Sequence, residues 1–399
     1  MDDKAIKRSL VIFYLIALEF YRPSFIGNVE DLSRYLFDIV GLLLFFYTTF
    51  FERRRSLNIS IFGKLGFYLL ILSMFTSIYM AYVYSNQSLS QGFSSTLPYV
   101  LSYLSLPILF KTGVNRTFLE SSIKCFAVIT MVLIAVNFVF YPTAIFGSAD
   151  ISEGRGGLVR VRMTGMMTIA FFLYYSIHRY TLFKNRKHLK WILLCSIFIL
   201  LSLTRQLIAL CILFGVLLYL KDLSTPKKVA ILTVLSLIMF YVIPQITLFK
   251  GLFEQTNNQL NSDTDDVRLI AWNYYTQEAQ PDPDCYVWGT GVPNANSKYG
   301  KSFYSETTDL KVFIVDVGYG GFYYLFGLVG ILGLLILLFS QLFVKTFFMY
   351  FYVKFFIITN LLMGFTSGVI IYRSEVMLLM ISIYLLAYKY EHRHPDFKF

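Results

Sequence analysis

Between Trp191 and Leu220 an apolar run is interrupted once, by Ser202-Leu203-Thr204-Arg205-Gln206. An unbroken helix there would put its two ends on opposite sides of a bilayer. Yet Lys190 precedes the run and Lys221, Lys227 and Lys228 follow it, and lysine clusters of this kind mark the cytoplasmic side. The sequence therefore predicts a hairpin of two short helices with Arg205 at the outer tip. Arms of about 14–15 residues reach roughly 21–23 Å, short of a ~30 Å hydrocarbon core, so the tip is expected below the membrane surface. A guanidinium at that depth needs a paired carboxylate or an anion held in a protein cavity. Both readings are open, and the second is chemistry, because arginine's planar fork binds phosphate oxygens bidentately.

Other residues of chemical type gather on the same predicted face. Segment 141–162, rich in glycine and small polar residues, reads as an irregular loop ending in Arg160 and Arg162. Two residues apart, these would share one face of an extended backbone and suit either a lipid-linked phosphate or headgroup anchoring. A large loop over 249–316 precedes the tenth predicted span. Up to Lys311 it carries nine acids against five bases, a balance that will not attract nucleic acid. Asp265-Asp266-Val267 starts a predicted short helix running to about Ala279, with Arg268 and Trp272 as an i,i+4 pair. Pro281, Pro283, Gly289 and Gly291 mark turns after it. Trp272, Tyr275 and Trp288 stand beside carboxylates and amides, as sugar-stacking residues would, and interfacial aromatic belting explains them equally. Asp316 follows at the mouth of a long apolar helix, as an N-cap or as a base. Tyr372-Arg373-Ser374-Glu375 adds a further outer arginine, with Glu375 as its expected partner. Arg22, Arg34 and Arg155 complete the outer-face arginines, and snorkelling accounts for Arg22 and Arg34 as well as function does.

The elements that must position these residues are membrane helices. Of 399 residues 56% are hydrophobic and only 15% charged, against roughly a quarter charged in an average soluble domain. That excludes a soluble globular enzyme, a disordered chain and a disulfide scaffold. Runs of about 20 apolar residues place twelve spans at 9–25, 35–51, 61–83, 95–110, 118–140, 163–178, 191–204, 206–220, 229–248, 317–343, 347–367 and 376–388. The reading is an all-α polytopic membrane protein, one integral membrane domain over 1–399. Twenty of the 35 basic residues fall in loops on one side, which the positive-inside rule makes cytoplasmic together with both termini. The net charge of +11 is then mainly a topology signal. Of the four cysteines, Cys125, Cys195 and Cys211 lie inside apolar runs and none has metal-clip or disulfide spacing.

Three stretches carry a family likeness. Ser202-Leu203-Thr204-Arg205 is similar to a small-polar-arginine segment between two spans. Asp266-Val267-Arg268 through Trp272, followed by Trp288-Gly289-Thr290-Gly291, is similar to an outer-loop helix and glycine turn. Asp316 through Gly327-Leu328-Val329-Gly330 is similar to the helix after a large loop. Together they resemble the Wzy-type O-antigen polymerases, in the wider group that includes O-antigen ligases and related surface-polysaccharide polymerases. Ligases of that group carry a loop histidine ahead of the glycine pair. Here Asp316 occupies that register, and His178, His188, His392 and His394 all map to predicted cytoplasmic segments, which favours polymerase over ligase. A transporter or flippase for lipid-linked saccharides would show inverted repeats and charges lining mid-membrane helices, and neither is visible.

The resemblance implies a metal-independent glycosyltransferase of GT-C type, without cofactor, at the periplasmic face of the bacterial inner membrane. It would join oligosaccharide repeat units carried on undecaprenyl pyrophosphate. Its implied partners are the lipid-linked donor and acceptor, membrane lipids and a chain-length regulator. In that chemistry Asp316 would take the acceptor proton. Arg205 and Arg268 would act catalytically on the pyrophosphate leaving group, with Arg160, Arg162 and Arg373 as further pyrophosphate ligands. Trp272, Tyr275 and Trp288 would hold saccharide.

Overall fold

A computed structural model of the chain describes residues 3–51, 57–152, 158–221, 223–228, 233 and 267–387, with residues 3, 148–152, 158–160 and 162 described through their backbone. The bundle is built from α1 (Asp3–Ala17), α2 (Val29–Phe50), α3 (Ile61–Ser85), α4 (Leu89–Thr112) and α5 (Arg116–Val139), then α6 (Met166–Phe183), α7 (Arg186–Leu201) and α8 (Arg205–Leu220). After the large loop come α12 (Gly318–Leu342), α13 (Tyr352–Met363) and α14 (Arg373–Leu386). The loop itself holds α9 (Val267–Asn273), α10 (Pro283–Trp288) and α11 (Lys298–Asp309). Among the described residues five helices, α2, α3, α4, α5 and α12, are long and apolar enough to cross a bilayer, and they mark the chain as a helical multi-pass membrane protein. Outside the large loop each of these helices overlaps a predicted apolar run. The predicted ninth span, 229–248, lies outside the described residues.

The helix ends follow local chemistry. Ser60 accepts from the Gly63 N–H at the start of α3, Ser88 and Gln91 form a capping box at α4, and Asn115 and Asn185 cap α5 and α7. The first helix is shorter than the predicted span 9–25. It ends at Ala17, and Glu19, Phe20, Tyr21 and Arg22 all have positive φ, a left-handed run that no helix continues through. The end of the bundle that carries this turn also carries the large loop, and is called the loop end below.

Packing is tightest where glycines let backbones meet. α3 crosses α12 at Gly66 and Gly333, where an added Cβ would stand 2.5 Å from Leu337 N and 2.6 Å from Leu70 N respectively, the small-residue approach favoured between membrane helices. α6 and α14 are buried along almost their whole length and form the centre around which the outer helices pack. Aromatic rings fill part of this core: Phe171 makes edge contacts with Tyr352 and Phe356, and Tyr103 and Phe322 are fully buried.

The segment predicted as an irregular loop over 141–162 is more ordered than that. β1 (Ser148–Ser152) and β2 (Leu158–Arg162) pair antiparallel, with Ser148 opposite Arg162 and Asp150 opposite Arg160. The alternation of Val159 and Val161 with Arg160 and Arg162 is a strand pattern, and among the described residues the fold is helical apart from this ribbon.

Candidate functional site

The described part of the large loop does more than cover the bundle. α12 is broken at Gly327 (φ 67°, ψ −173°), a conformation open essentially to glycine alone. The turn after α10 enters that break. Thr290 donates from its N–H (2.8 Å) and its hydroxyl (2.9 Å) to Tyr324 O, and Gly291 N–H donates to Leu325 O at 3.1 Å. The loop thus supplies donors for carbonyls near the broken turn of α12. A Cβ on Gly289 would lie 2.3 Å from Leu325 O, one on Gly327 2.3 Å from Val287 O, and one on Gly291 2.5 Å from Ser77 O of α3. The predicted glycine turn is therefore a wedge between α3 and α12. Gln87, fully buried, fastens its far side by donating to Val292 O and accepting from Asn294 N and Ser297 Oγ.

With the wedge seated, the other loop elements lie on the mouth of α12. The predicted helix from Val267 is α9, continued by a single wide turn, Tyr274–Glu278. Arg268 is exposed on it. Trp272 is half-buried against Gly320, where an added Cβ would meet its ring at 3.0 Å. Trp288 closes α10, half-buried. Tyr275 departs from the sequence reading. It is 0% exposed, rings with Tyr274, Phe303 and Tyr324 and donates to Val312 O at 3.2 Å. It is a core residue of the loop with no face open to a sugar. Burial first, then neighbouring Tyr274, Tyr324 and Asp316, raise the pKa of its hydroxyl.

Asp316 ends a single tight turn, Ile314–Asp316, and is exposed. It does not cap α12, whose N-cap position is Val317 without a side-chain hydrogen bond. The capping alternative therefore falls. The carboxylate lies within electrostatic reach of Tyr275 on one side and of Tyr372 on the other. The Tyr372 hydroxyl is pushed up to about 12 by burial, with Glu375 and Asp316 adding to it. Tyr319, just after Asp316, bonds the end of α13 through N–H to Gly364 O (2.7 Å) and hydroxyl to Leu361 O (2.9 Å).

The same turn of α13 receives the Arg205 tip. The predicted hairpin is present as α7 and α8, 16 residues each, joined through Ser202–Thr204 with Leu203 at φ 50°. Gln206 donates to Leu362 O at 2.7 Å and accepts from the Thr366 hydroxyl. Arg205, half-buried, opens α8, where its charge adds to the positive end of the helix dipole. The two arms pack mainly on α6 and α13 rather than on each other.

Arg373 is placed differently from its sequence reading. It pairs with Glu19 at 2.7 Å, not with Glu375, because residues two apart on a helix point to different sides. Glu375 instead meets the Ser374 hydroxyl and the Gly165 backbone. Glu19 also holds Arg22, which reaches Glu30 at 3.4 Å, so Arg22 is ion-paired and not merely snorkelling. Arg34 donates to Ser94 O at 3.1 Å. Burial raises the Glu19 pKa, but the hydrogen bonds and charges of Arg22 and Arg373 outweigh it and the net shift is downward. Glu19 was missed in the sequence. Its only signal is a carboxylate next to an aromatic pair ahead of Arg22-Pro23. The ribbon joins this group through Gly147 N–H to Arg22 O at 3.0 Å and Ser24 N–H to Ile145 O at 2.8 Å.

The loop end thus gathers an arc of contacts. It runs from the ribbon of Arg160 and Arg162, through Arg22, Glu19 and Arg373, past Tyr372 and Asp316, to the α13 turn and the Arg205 tip. Among the described residues no group of His, Cys, Asp and Glu is arranged to hold a metal ion. No known family model and no curated protein matches the chain.

Proposed function

We propose that the chain is a polysaccharide polymerase that joins oligosaccharide repeat units carried on undecaprenyl pyrophosphate. In this reading it is a twelve-span, GT-C-type glycosyltransferase of the bacterial inner membrane, with the loop end periplasmic and both termini cytoplasmic. The observation that carries the reading is the junction at the end of α13, where Tyr319, three residues after Asp316, and Gln206 of the Arg205 tip bind one short segment, Leu361–Thr366. An exposed carboxylate and a helix-opening arginine are thereby fixed on one scaffold. In the reaction, the acceptor hydroxyl attacks the anomeric carbon of the donor sugar and its proton passes to Asp316. The bond from that carbon to the pyrophosphate oxygen breaks, and cationic groups stabilise the departing charge. Arg205 and Arg268 serve that purpose, with Arg160 and Arg162 on the ribbon, while Trp272 and Trp288 on the loop face the saccharide. Chain-length regulation would act on this complex from outside the active site.

The test is turnover of defined undecaprenyl-pyrophosphate oligosaccharides by the purified protein. A ladder of products is the expected outcome. Transfer of single units onto a lipid A core would instead make it a ligase, and no transfer at all would defeat the enzyme reading. Arg205→Lys keeps the charge and loses the fork, so it should abolish the ladder while expression persists. Unaltered ladder length in that variant refutes the pyrophosphate role. Asp316→Asn should stop turnover, and full activity would remove Asp316 as the base.

A further inference from the structure

Below the Arg205 tip the two arms of the hairpin do not close on each other, and a crevice of about 240 Å³ opens between α6, α7 and α8. On α8 it is lined by Ile208, Cys211, Ile212 and Gly215, a stripe at helical spacing. Ile177 of α6 and Ile199 of α7 line the facing walls. Ser196 is the one hydroxyl-bearing residue in the lining, so the crevice offers almost nothing to a polar ligand. It starts one turn below Arg205 and descends about 12 Å along α8, from Ile208 to Val216, at 1.5 Å per residue. Gly215 keeps its lower half open, since the single atom near an added Cβ there is Ile177 Cδ1 at 3.0 Å.

We propose that this crevice holds the polyprenyl chain of the lipid-linked donor, with the pyrophosphate at the Arg205 tip. The inference rests on the polymerase reading above and adds where the lipid sits. Two observations select the occupant. A fixed positive charge at the upper mouth and an apolar channel beneath it match a phosphate head with a hydrocarbon tail. A single narrow channel under one guanidinium suits a lipid with one chain per head, whereas a phospholipid would leave its second chain outside. Seating the chain here holds the pyrophosphate at a fixed depth, which orients the sugar–phosphate bond toward the Asp316 side of the α13 junction.

The experiment uses the full chain in nanodiscs and a polyprenyl pyrophosphate bearing a photoreactive group within its prenyl chain. Cross-links are expected on α7 and α8 and should be competed by unlabelled polyprenyl pyrophosphate but not by phosphatidylglycerol. Gly215→Phe and Ile212→Trp fill the crevice and should weaken labelling about tenfold. Both should raise KM for a full-length donor while sparing turnover of a donor with a single isoprene unit, whose tail of about one helical turn ends at the mouth of the crevice. Leu213→Trp, on an exposed side of α8, should label and turn over as wild type. Labelling elsewhere, with Gly215→Phe and Ile212→Trp fully active, overturns the crevice and leaves the polymerase reading intact. Displacement of the probe by phosphatidylglycerol makes the occupant a bulk lipid and overturns it too. Absence of saturable labelling anywhere, with no turnover of either donor, overturns both.

Discussion

Replacing Gly289 by alanine tests the wedge directly. Gly289 sits at φ 85°, ψ 163°, a region that side-chain-bearing residues enter at a cost of about 1–3 kcal/mol. The new Cβ would lie 2.3 Å from Leu325 O and 2.5 Å from both Leu325 C and Phe326 N. These are backbone atoms, so no rotamer change relieves the overlap. The turn must withdraw from α12, which separates Thr290 N from Tyr324 O and Gly291 N from Leu325 O. Both carbonyls belong to residues that are at most 2% exposed, and each buried group left without a partner costs about 1–3 kcal/mol. The lower limits of strain and two lost bonds together give about 3 kcal/mol, roughly a hundredfold shift in the folding equilibrium. The assay is denaturant or thermal unfolding in detergent, with the monodisperse fraction on gel filtration as a second readout. Gly27→Ala is the control, since nothing lies within 4 Å of its Cβ position, and it should stay within about 0.5 kcal/mol of wild type. If Gly289→Ala unfolds with Gly27→Ala, the loop is not inserted in α12 and the site built on it is wrong.

Four further outcomes follow from individual contacts. Glu19→Ala should cost about 3–5 kcal/mol, because it leaves Arg373, only 13% exposed, without the carboxylate that neutralises it; an unfolding shift below about 1 kcal/mol would mean the pair is solvent-screened. The Glu19 pKa is lowered on folding, so its contribution is fully present above the unfolded value of ~4.3 and is lost as pH falls through the lower folded value. A pH series of wild type against Glu19→Gln should therefore converge in acid and separate toward neutral pH. Tyr275→Phe removes one hydrogen bond, to Val312 O, and should cost about 1 kcal/mol without changing KM for the saccharide; a raised KM would return Tyr275 to the binding surface. Gly66→Val drives a side chain into Leu337 N at 2.5 Å and should abolish the folded monomer on gel filtration, and a normal monomer peak would show that α3 and α12 are less close than they stand here.

The helices were legible because burial in a bilayer demands long apolar runs, and each helix named on the bundle coincides with one. The hairpin was legible for the same reason in reverse, since a single polar interruption at 202–206 had nowhere to go but a turn. The break in α12 was not, because Gly327-Leu328-Val329-Gly330 reads as uninterrupted apolar helix and its partner, the Thr290 turn, is remote in sequence. The burial of Tyr275 is not legible because a loop position reads as surface, whereas this loop has its own aromatic core of Tyr275, Phe303 and Tyr324. Charge pairing was the least legible of all. The partner of Arg373 is 354 residues away, beyond any local pattern, while the nearby Glu375 was a false lead set by sequence distance alone.

That pairing reorders the arginines as ligands for a pyrophosphate. A guanidinium already hydrogen-bonded to a buried carboxylate gives that bond up when it turns to a substrate, so its net contribution to binding is reduced by the cost of leaving Glu19 uncompensated. Arg373 shares Glu19 with Arg22, and the three form a brace between the α1–α2 turn and the start of α14. Such a brace fixes the distance from the ribbon to Tyr372, and through Tyr372 to Asp316. In the polymerase reading Arg373 would therefore serve the reaction by holding that spacing. In the polymerase reading the leaving-group role stays with Arg205, on a tip that Gln206 fastens to Leu362 O and Thr366. The two roles separate experimentally, because Arg373→Lys should lower stability together with activity, whereas Arg205→Lys should lower activity alone.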